Sequence, residues 1–377
     1  EPSLKEDSLA EMLAEFLPEV LVVRSTKVGA NHIRDTASLE LVIRAGAGVN
    51  TIDLDTASQL GIFVANCPGK NAVAVAELAM GHILSADRRI ADNVAALRAG
   101  EWKKKEFASG CRGIKGQTLG IVGLGNIGRE LTLRARAFGM KVLGYDPFLP
   151  PEHAESVGVT LVSDLVDLAE QVDILSIHVG LSEQTRGMID ARVLAALGPD
   201  GLLINTSRGA VVDEEALKSA ISETGLQAGL DVFCHEPPAD GPWSTDIAQL
   251  PGVYGTHHIG ASTVQASSAV GDEVLRIIHT YHQSGAVPNC VNLATSSPAT
   301  HMLVVRHADE VGVLARVLNS LREARVNVQE MENIIFRGAL AACARIRVER
   351  APDTTVLEKI EAIPSVHAIS LVHLESV

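Results

Sequence analysis

Basic residues are scarce in this chain, aromatics scarcer still, and no apolar run is long. Lysine and arginine number 32 against 46 aspartates and glutamates, for a formal net charge of −14. That balance excludes nucleic acid as the main partner, which calls for a basic face, but leaves room for a local arginine cluster around a small anion. The five cysteines, Cys67, Cys111, Cys234, Cys290 and Cys343, show no C-x-x-C spacing. An odd, scattered set in a chain of 377 residues excludes a disulfide framework and points to reduced thiols in a cytoplasmic setting. No uninterrupted apolar segment reaches bilayer length, and the first residues lack the basic-then-apolar order of a secretory signal. The chain starts without Met on an acidic helical pattern over 6–16, where the expected alternation calls for a preceding strand. What remains is a soluble composition, 46% hydrophobic, in a chain too long for one core.

The most informative segment is the apolar run Leu119 to Val122, which leads straight into Gly123-Leu124-Gly125-Asn126-Ile127-Gly128. A second apolar run, Lys141 to Tyr145, ends on Asp146, 18 residues after the last of these glycines. Each part has a physical task. Gly123 permits a tight turn, Gly125 lets backbone approach a pyrophosphate, and Gly128 lets the next helix pack close to the strand. The helix then offers its N-terminal N–H groups to the phosphates. Asp146 falls where a carboxylate accepts from the adenosine ribose and repels a 2′-phosphate, which favours NAD over NADP. Gly123, Gly125, Asn126, Ile127, Gly128 and Asp146 are therefore candidate cofactor contacts.

Around this unit, short apolar strands alternate with helices. Leu21-Val22-Val23, Leu41-Val42-Ile43 and Ile62-Phe63-Val64 read as buried parallel strands, followed by helices over 71–84 and 90–97. Further strands are expected over 172–179, 202–205, 228–232 and at Val253-Tyr254, before a helix over 262–281. The pattern predicts an α/β chain of two Rossmann-like, doubly wound parallel sheets. One domain takes 86–260, for the nucleotide; the other, for substrate, joins 1–85 to 261–296. After an extended linker over 286–297, the order becomes βαββαβ, which predicts a ferredoxin-like module over 299–377.

Three polar residues fall at the carboxyl ends of late strands, where open α/β sheets place their sites. They are Arg208, after Leu202-Leu203-Ile204; Glu236, after Leu230-Asp231-Val232; and His258, in Thr256-His257-His258-Ile259-Gly260. A nicotinamide enzyme acting on an alcohol needs a group to take the hydroxyl proton, and histidine does so near neutral pH. A carboxylate beside it raises its pKa, and an arginine grips a substrate carboxylate through paired hydrogen bonds. The bland alternative makes Arg208 and Glu236 surface ion-pair residues and His258 a turn histidine. Occurring together on successive strand ends, the three favour the functional reading. His235, His257 and His258 have no carboxylate or thiolate at ligand spacing, so no metal is expected.

With these motifs in order, the chain resembles the D-isomer-specific 2-hydroxyacid dehydrogenases. The likeness rests on Arg44 to Asp53, Gly123 to Gly128, Asn205 to Gly209, Asp231 to Glu236 and His258 to Ser262, and it spans the chain to about residue 296. It implies catalytic roles for Arg208, Glu236 and His258, and cofactor contacts at Thr206, Ser207, Asp231 and Gly260. Within the family, the phosphoglycerate-oxidising branch is most similar. That likeness implies substrate contacts at Arg24, Ser25, Arg44, Gly48, Val49, Asn71 and Lys104, and a place at the first step of serine biosynthesis. For Lys103-Lys104-Lys105 the plainer alternative is a solvated charge run. Three positions depart from the family's pattern: His257 stands where proline is usual, Gly180 lies where a proline is common, and Asn126 replaces a frequent arginine.

The C-terminal module resembles an ACT domain, on the run His307 to Leu314 and on Val326-Asn327-Val328. This implies an L-serine effector held by His307, Asp309 and Asn327 at a junction between two such domains. The alternative is a module that serves only subunit contact. The family likeness also implies a homodimer or homotetramer. Two rivals stay open: another 2-hydroxy acid as substrate, such as hydroxypyruvate or glyoxylate, and a non-enzymatic protein that senses NAD(H).

Overall fold

The computed structural model describes residues 7–237 and 240–374. Contacts divide the chain into two compact units, 1–292 and 293–377.

The first unit holds two parallel sheets. In the smaller one, β1 (Val20–Val23), β2 (Leu41–Arg44) and β3 (Phe63–Asn66) lie in simple sequence order. Leu41, Val42 and Ile43 are fully buried, because helices cover both faces of this sheet. The helices Asp7–Phe16, Ala30–Arg34 and Leu54–Leu60 pack Leu9, Leu13, Ile33 and Ala57 on one side. The helix Val264–Ser284 packs Val274 and Ile277 on the other. Among the described residues, the three strands of this sheet lie in sequential order with no point where the winding reverses, which differs from the doubly wound expectation. The N-terminal helix spans Asp7–Phe16, and Glu6, its expected first residue, lies outside the described residues.

The larger sheet contains β4 (Thr118–Val122), β5 (Lys141–Tyr145), β6 (Thr160–Leu161), β7 (Ile174–Ile177), β8 (Leu202–Asn205), β9 (Gln227–Leu230) and β10 (Val253–Gly255). All are parallel, in the order β6-β5-β4-β7-β8-β9-β10. The winding reverses between β4 and β7, which opens a crevice at their carboxyl ends. Leu119, Ile121 and Val122 of β4 are buried from both faces, which accounts for the unbroken apolar run.

The second unit is an antiparallel sheet of β11 (His301–Ala308), β12 (Val328–Ile335), β13 (Ala341–Val348) and β14 (Val366–His373), in the order β12-β13-β11-β14. The helices Val313–Glu323 and Thr354–Glu361 complete the βαββαβ order. Leu303, Val305, Ala344 and Ile346 meet Val317, Leu321 and Ile360 in its core.

A buried ionic cluster ties the small sheet to the long helix that follows the β10 loop. Glu273 is 5% exposed and accepts from Arg276 at 2.6 Å and Asn289 at 2.7 Å, with Lys70 Nζ at 3.1 Å. The Arg276 hydrogen bond, ahead of those from Lys70 and Asn289, draws the Glu273 carboxyl down to about 2. A depressed carboxylate stabilises the fold above its unfolded pKa and loses that contribution as pH falls through the folded value. Replacing Glu273 with Ala is expected to cost about 2 kcal/mol, less than for a fully buried pair because Lys70 and Arg276 are half-exposed. Urea unfolding should show this deficit at pH 7, and the gap to the unmodified protein should close toward pH 2.

Candidate active site

The turn after β4 is built by close backbone contact. Gly123 has φ +91, and a Cβ there would sit 2.8 Å from the His178 carbonyl. A Cβ on Gly128 would fall 2.3 Å from the Gly123 carbonyl, so only glycine lets the helix Asn126–Ala137 start this close to the strand. At Gly125 the opposite holds: a Cβ would meet nothing within 4 Å. That open approach at a helix N-terminus fits a pyrophosphate. Asp146 Oδ2 accepts from Leu124 N at 2.9 Å, and its Oδ1 from Phe148 N at 3.1 Å. The carboxylate is thus held at the end of β5, where a ribose would lie. Beyond β7, the His178 ring is neutral, its pKa pushed down to about 3 by burial, with Nε2 2.8 Å from Ser176 Oγ.

After β8, the Asn205 side chain latches the next loop. Its Oδ1 accepts from Ser207 N and Ser207 Oγ, and its Nδ2 donates to the Arg208 carbonyl at 3.0 Å. Thr206 Oγ1 is buried with no partner among the described residues. Gly209 then runs against the neighbouring loop, where a Cβ would lie 2.2 Å from the Phe233 carbonyl carbon. This contact brings the Arg208 loop beside the Glu236 loop.

Glu236 faces two ways. Its Oε1 accepts from Phe233 N at 3.0 Å, and its Oε2 pairs with His258 Nδ1 at 2.6 Å. Burial pushes the Glu236 carboxyl up, but the His258 bond, the Phe233 N–H and the Arg208 charge together hold it below the usual range. The Glu236 bond raises His258 above an ordinary imidazole, against burial and the opposing charge of Arg208. Because a carboxylate only accepts, Nδ1 carries the proton toward Glu236, and Nε2 is left as the base.

The pair opens on a cleft of about 1460 Å³ that is also lined by Arg24, Ser25, Arg44, Gly46 and Asn71. Arg44 is the most constrained of these. Its Nε is buried without a partner among the described residues, and burial, followed by the charges of Arg208 and Arg24, lowers its pKa. Its guanidinium lies across Gly46, where a Cβ would meet Nη1 at 1.4 Å. Arg208 Nη2 stands 3.1 Å from the place of a Cβ on Gly48. The N–H groups of Gly48 and Val49 make no hydrogen bond among the described residues.

Lys104 opens the exposed helix Lys104–Ala108, which buries no residue, and it does not line the cleft. Asp231, expected at the cofactor, is 1% exposed, and its carboxylate accepts from Ile259 N, Gly260 N and Thr256 Oγ1 within 2.8 Å. Asn126 lies against the substrate side, its Nδ2 3.0 Å from the place of a Cβ on Gly69. His257 lines the cleft, exposed, in place of the expected proline. Spacing gives no signal for Asn205 or for Trp243, which stacks edge-on with Phe233 at 5.0 Å and also lines the cleft. In the second unit, His307 is buried, with Nε2 3.3 Å from Asn333 Oδ1. Asn327 precedes the end of β12 that aligns with His301, so six residues of strand, roughly 20 Å, separate it from His307.

The fold and site define a dinucleotide-binding α/β protein with a hydrogen-bonded histidine–glutamate pair at its strand ends. Comparison with known proteins identifies the family. The family model described as "D-isomer specific 2-hydroxyacid dehydrogenase, NAD binding domain" matches residues 80–260. The chain is 41% identical to a D-3-phosphoglycerate dehydrogenase of Methanocaldococcus jannaschii over 77% of its own length and 54% of that protein. It is 42% identical to a hydroxypyruvate reductase of Thermotoga maritima over 73% of its own length and 88% of that protein. A solved D-lactate dehydrogenase from Aquifex aeolicus, complexed with NAD and lactic acid, superposes with a TM-score of 0.65 at 27% identity, covering 76% of this chain and 90% of that one. The chain belongs to the D-isomer-specific 2-hydroxyacid dehydrogenases, and its dinucleotide is NAD. It spans about half the length of the Methanocaldococcus relative.

Asp146→Asn keeps an oxygen acceptor for Leu124 N while removing the charge that repels a 2′-phosphate. The variant should improve NADPH binding relative to NADH by about tenfold, read as the ratio of Kd values from nucleotide fluorescence.

Proposed function

We propose that the protein oxidises 3-phospho-D-glycerate to 3-phosphohydroxypyruvate with NAD, the first step of serine biosynthesis. The observation that carries this reading is the group of three arginines, Arg24, Arg44 and Arg208, whose charges oppose one another beside the His258–Glu236 pair. Cations held together against their own repulsion call for a multiply charged anion, and a phosphate with a carboxylate supplies one. Arg208 grips the substrate carboxylate, with the N–H groups of Gly48 and Val49 beside it, and Arg24, Ser25, Arg44 and Asn71 meet the phosphorylated end. His258 Nε2 takes the C2 hydroxyl proton while Glu236 stabilises the resulting imidazolium. NAD, when bound, accepts the hydride from C2. The small-sheet domain and the nucleotide domain form the two walls, and their closure would exclude water from the transfer.

The Thermotoga relative supports a second reading, with hydroxypyruvate or another unphosphorylated 2-hydroxy acid as substrate. NADH formation with 3-phosphoglycerate beside D-glycerate decides between them, and no turnover with either would favour an NAD(H)-sensing protein. Arg24→Ala or Arg44→Ala should raise KM for the phosphorylated acid about a hundredfold, the loss of one charge-assisted contact, while sparing D-glycerate.

The βαββαβ order of the second unit supports its reading as an ACT-like module. His307, Asp309 and Asn327 would then join across two copies, because one copy holds His307 and Asn327 at opposite ends of its sheet. Association into a homo-oligomer is supported by Ile90, Val94 and Leu97, exposed on a helix that buries none of its residues. L-Serine in the same assay tests the effector reading: inhibition that His307→Ala abolishes would support it.

Oxidation needs His258 unprotonated, and its pKa lies above the ordinary value of 6.5. The rate should therefore rise with pH through a pKa above that value. Glu236→Gln should lower kcat about a hundredfold and move this limb toward acid, which a kcat–pH profile would read.

A further inference from the structure

His82 belongs to none of the motifs above, yet it is 4% exposed within the helix Ala72–Arg88. Burial, against the pull of Asp231, lowers its pKa and keeps the ring neutral. Its Nε2 lies 3.1 Å from Thr256 Oγ1, and Thr256 Oγ1 donates to Asp231 Oδ1 at 2.6 Å. A carboxylate only accepts, so the one hydroxyl proton of Thr256 goes to Asp231. His82 must then carry its own proton on Nε2 and donate it to Thr256. The far end of this chain is the catalytic loop. Asp231 accepts Ile259 N and Gly260 N, each at 2.8 Å, through its carboxylate, and His258 N at 2.9 Å through its carbonyl. His258 itself stands at φ +52, a left-handed conformation that persists in a non-glycine residue only when its surroundings enforce it. Gly229 of β9 makes room for the ring, since a Cβ there would meet His82 Cβ at 2.7 Å.

We propose that His82 is a positioning residue for this site. Through Thr256 and Asp231, it holds the 256–260 loop in the left-handed turn that sets the His258 imidazole against Glu236. No proton reaches the substrate along the chain; its effect is geometric. The inference rests on reading His258 as the base.

His82→Met keeps the volume and removes the donor, whereas His82→Gln returns an N–H at similar reach. With the acid that gives turnover in the assay above, His82→Met should lower kcat about tenfold, the order of loss from a small misplacement of a catalytic group. KM and the Kd for NADH should stay within about twofold, and His82→Gln should recover most of the rate. In a His258→Ala background, His82→Met should add no further loss, because the two act as one unit. Wild-type kcat in His82→Met, or losses that multiply in the double variant, would overturn the proposal. If His82→Met does not fold, Thr256→Val and its conservative partner Thr256→Ser ask the same question from the next link. Full activity in His258→Ala would sink the base assignment itself, an outcome distinct from a required His258 with a silent His82.

Discussion

The hydrogen bond between His258 and Glu236 sets the demands that the rest of the structure meets. Its partners come from the loops after β10 and β9, so the two strands must be parallel neighbours in register, as they are. A bond of 2.6 Å also leaves little freedom for either loop. Phe233 N fixes the second oxygen of Glu236, and Asp231 gathers three donors from the segment that carries His258. Gly209 lets the Arg208 loop come within contact of the same backbone. Each of these features would look incidental alone. Together they turn three strand ends into one rigid frame, which a proton transfer requires more than it requires any single side chain.

Electrostatics runs through the same frame. Glu236 and His258 each shift the other toward its charged form, while Arg208 opposes the charge on His258 and adds to the strain on Arg44. An acidic chain thus holds Arg44 beside Arg208 and Arg24 against their mutual repulsion. The acidity of the whole and a local arginine cluster are not in conflict. Net charge governs the solubility and long-range behaviour of the chain, whereas binding responds to the few charges within a Debye length, about 8 Å at physiological salt.

The parts of this architecture that are legible in the sequence are those governed by neighbours in the chain. The glycine turn after β4, the run of parallel strands and the strand-end positions of Arg208, Glu236 and His258 all follow from local spacing. What spacing cannot carry is the direction in which a side chain turns. Asp231 lies just beyond the end of an apolar strand, and nothing local says whether its carboxylate faces a ligand or the protein. His82 sits in a helix of small residues, separated by 174 residues from the threonine it touches. Its one sequence signal is a lone imidazole amid the small and apolar residues of the helix Ala72–Arg88. The motif around Lys104 points toward the site, but the short helix that bears it packs no residue into the core. The small sheet looks doubly wound from its apolar strands, and apolarity reports cover on both faces without reporting strand order.

The segment Cys67 to Asn71 shows how the substrate side and the cofactor side come to be coupled. Cys67 N donates to the Gly46 carbonyl, which joins this segment to the loop beneath Arg44. Gly69, at φ +75, leaves room for Asn126 at the start of the fingerprint helix. Lys70 reaches the buried Glu273 on the helix that begins just beyond the His258 loop. Asn71 then enters the cleft. Five consecutive residues thus touch the substrate loop, the dinucleotide turn and the helix behind the base.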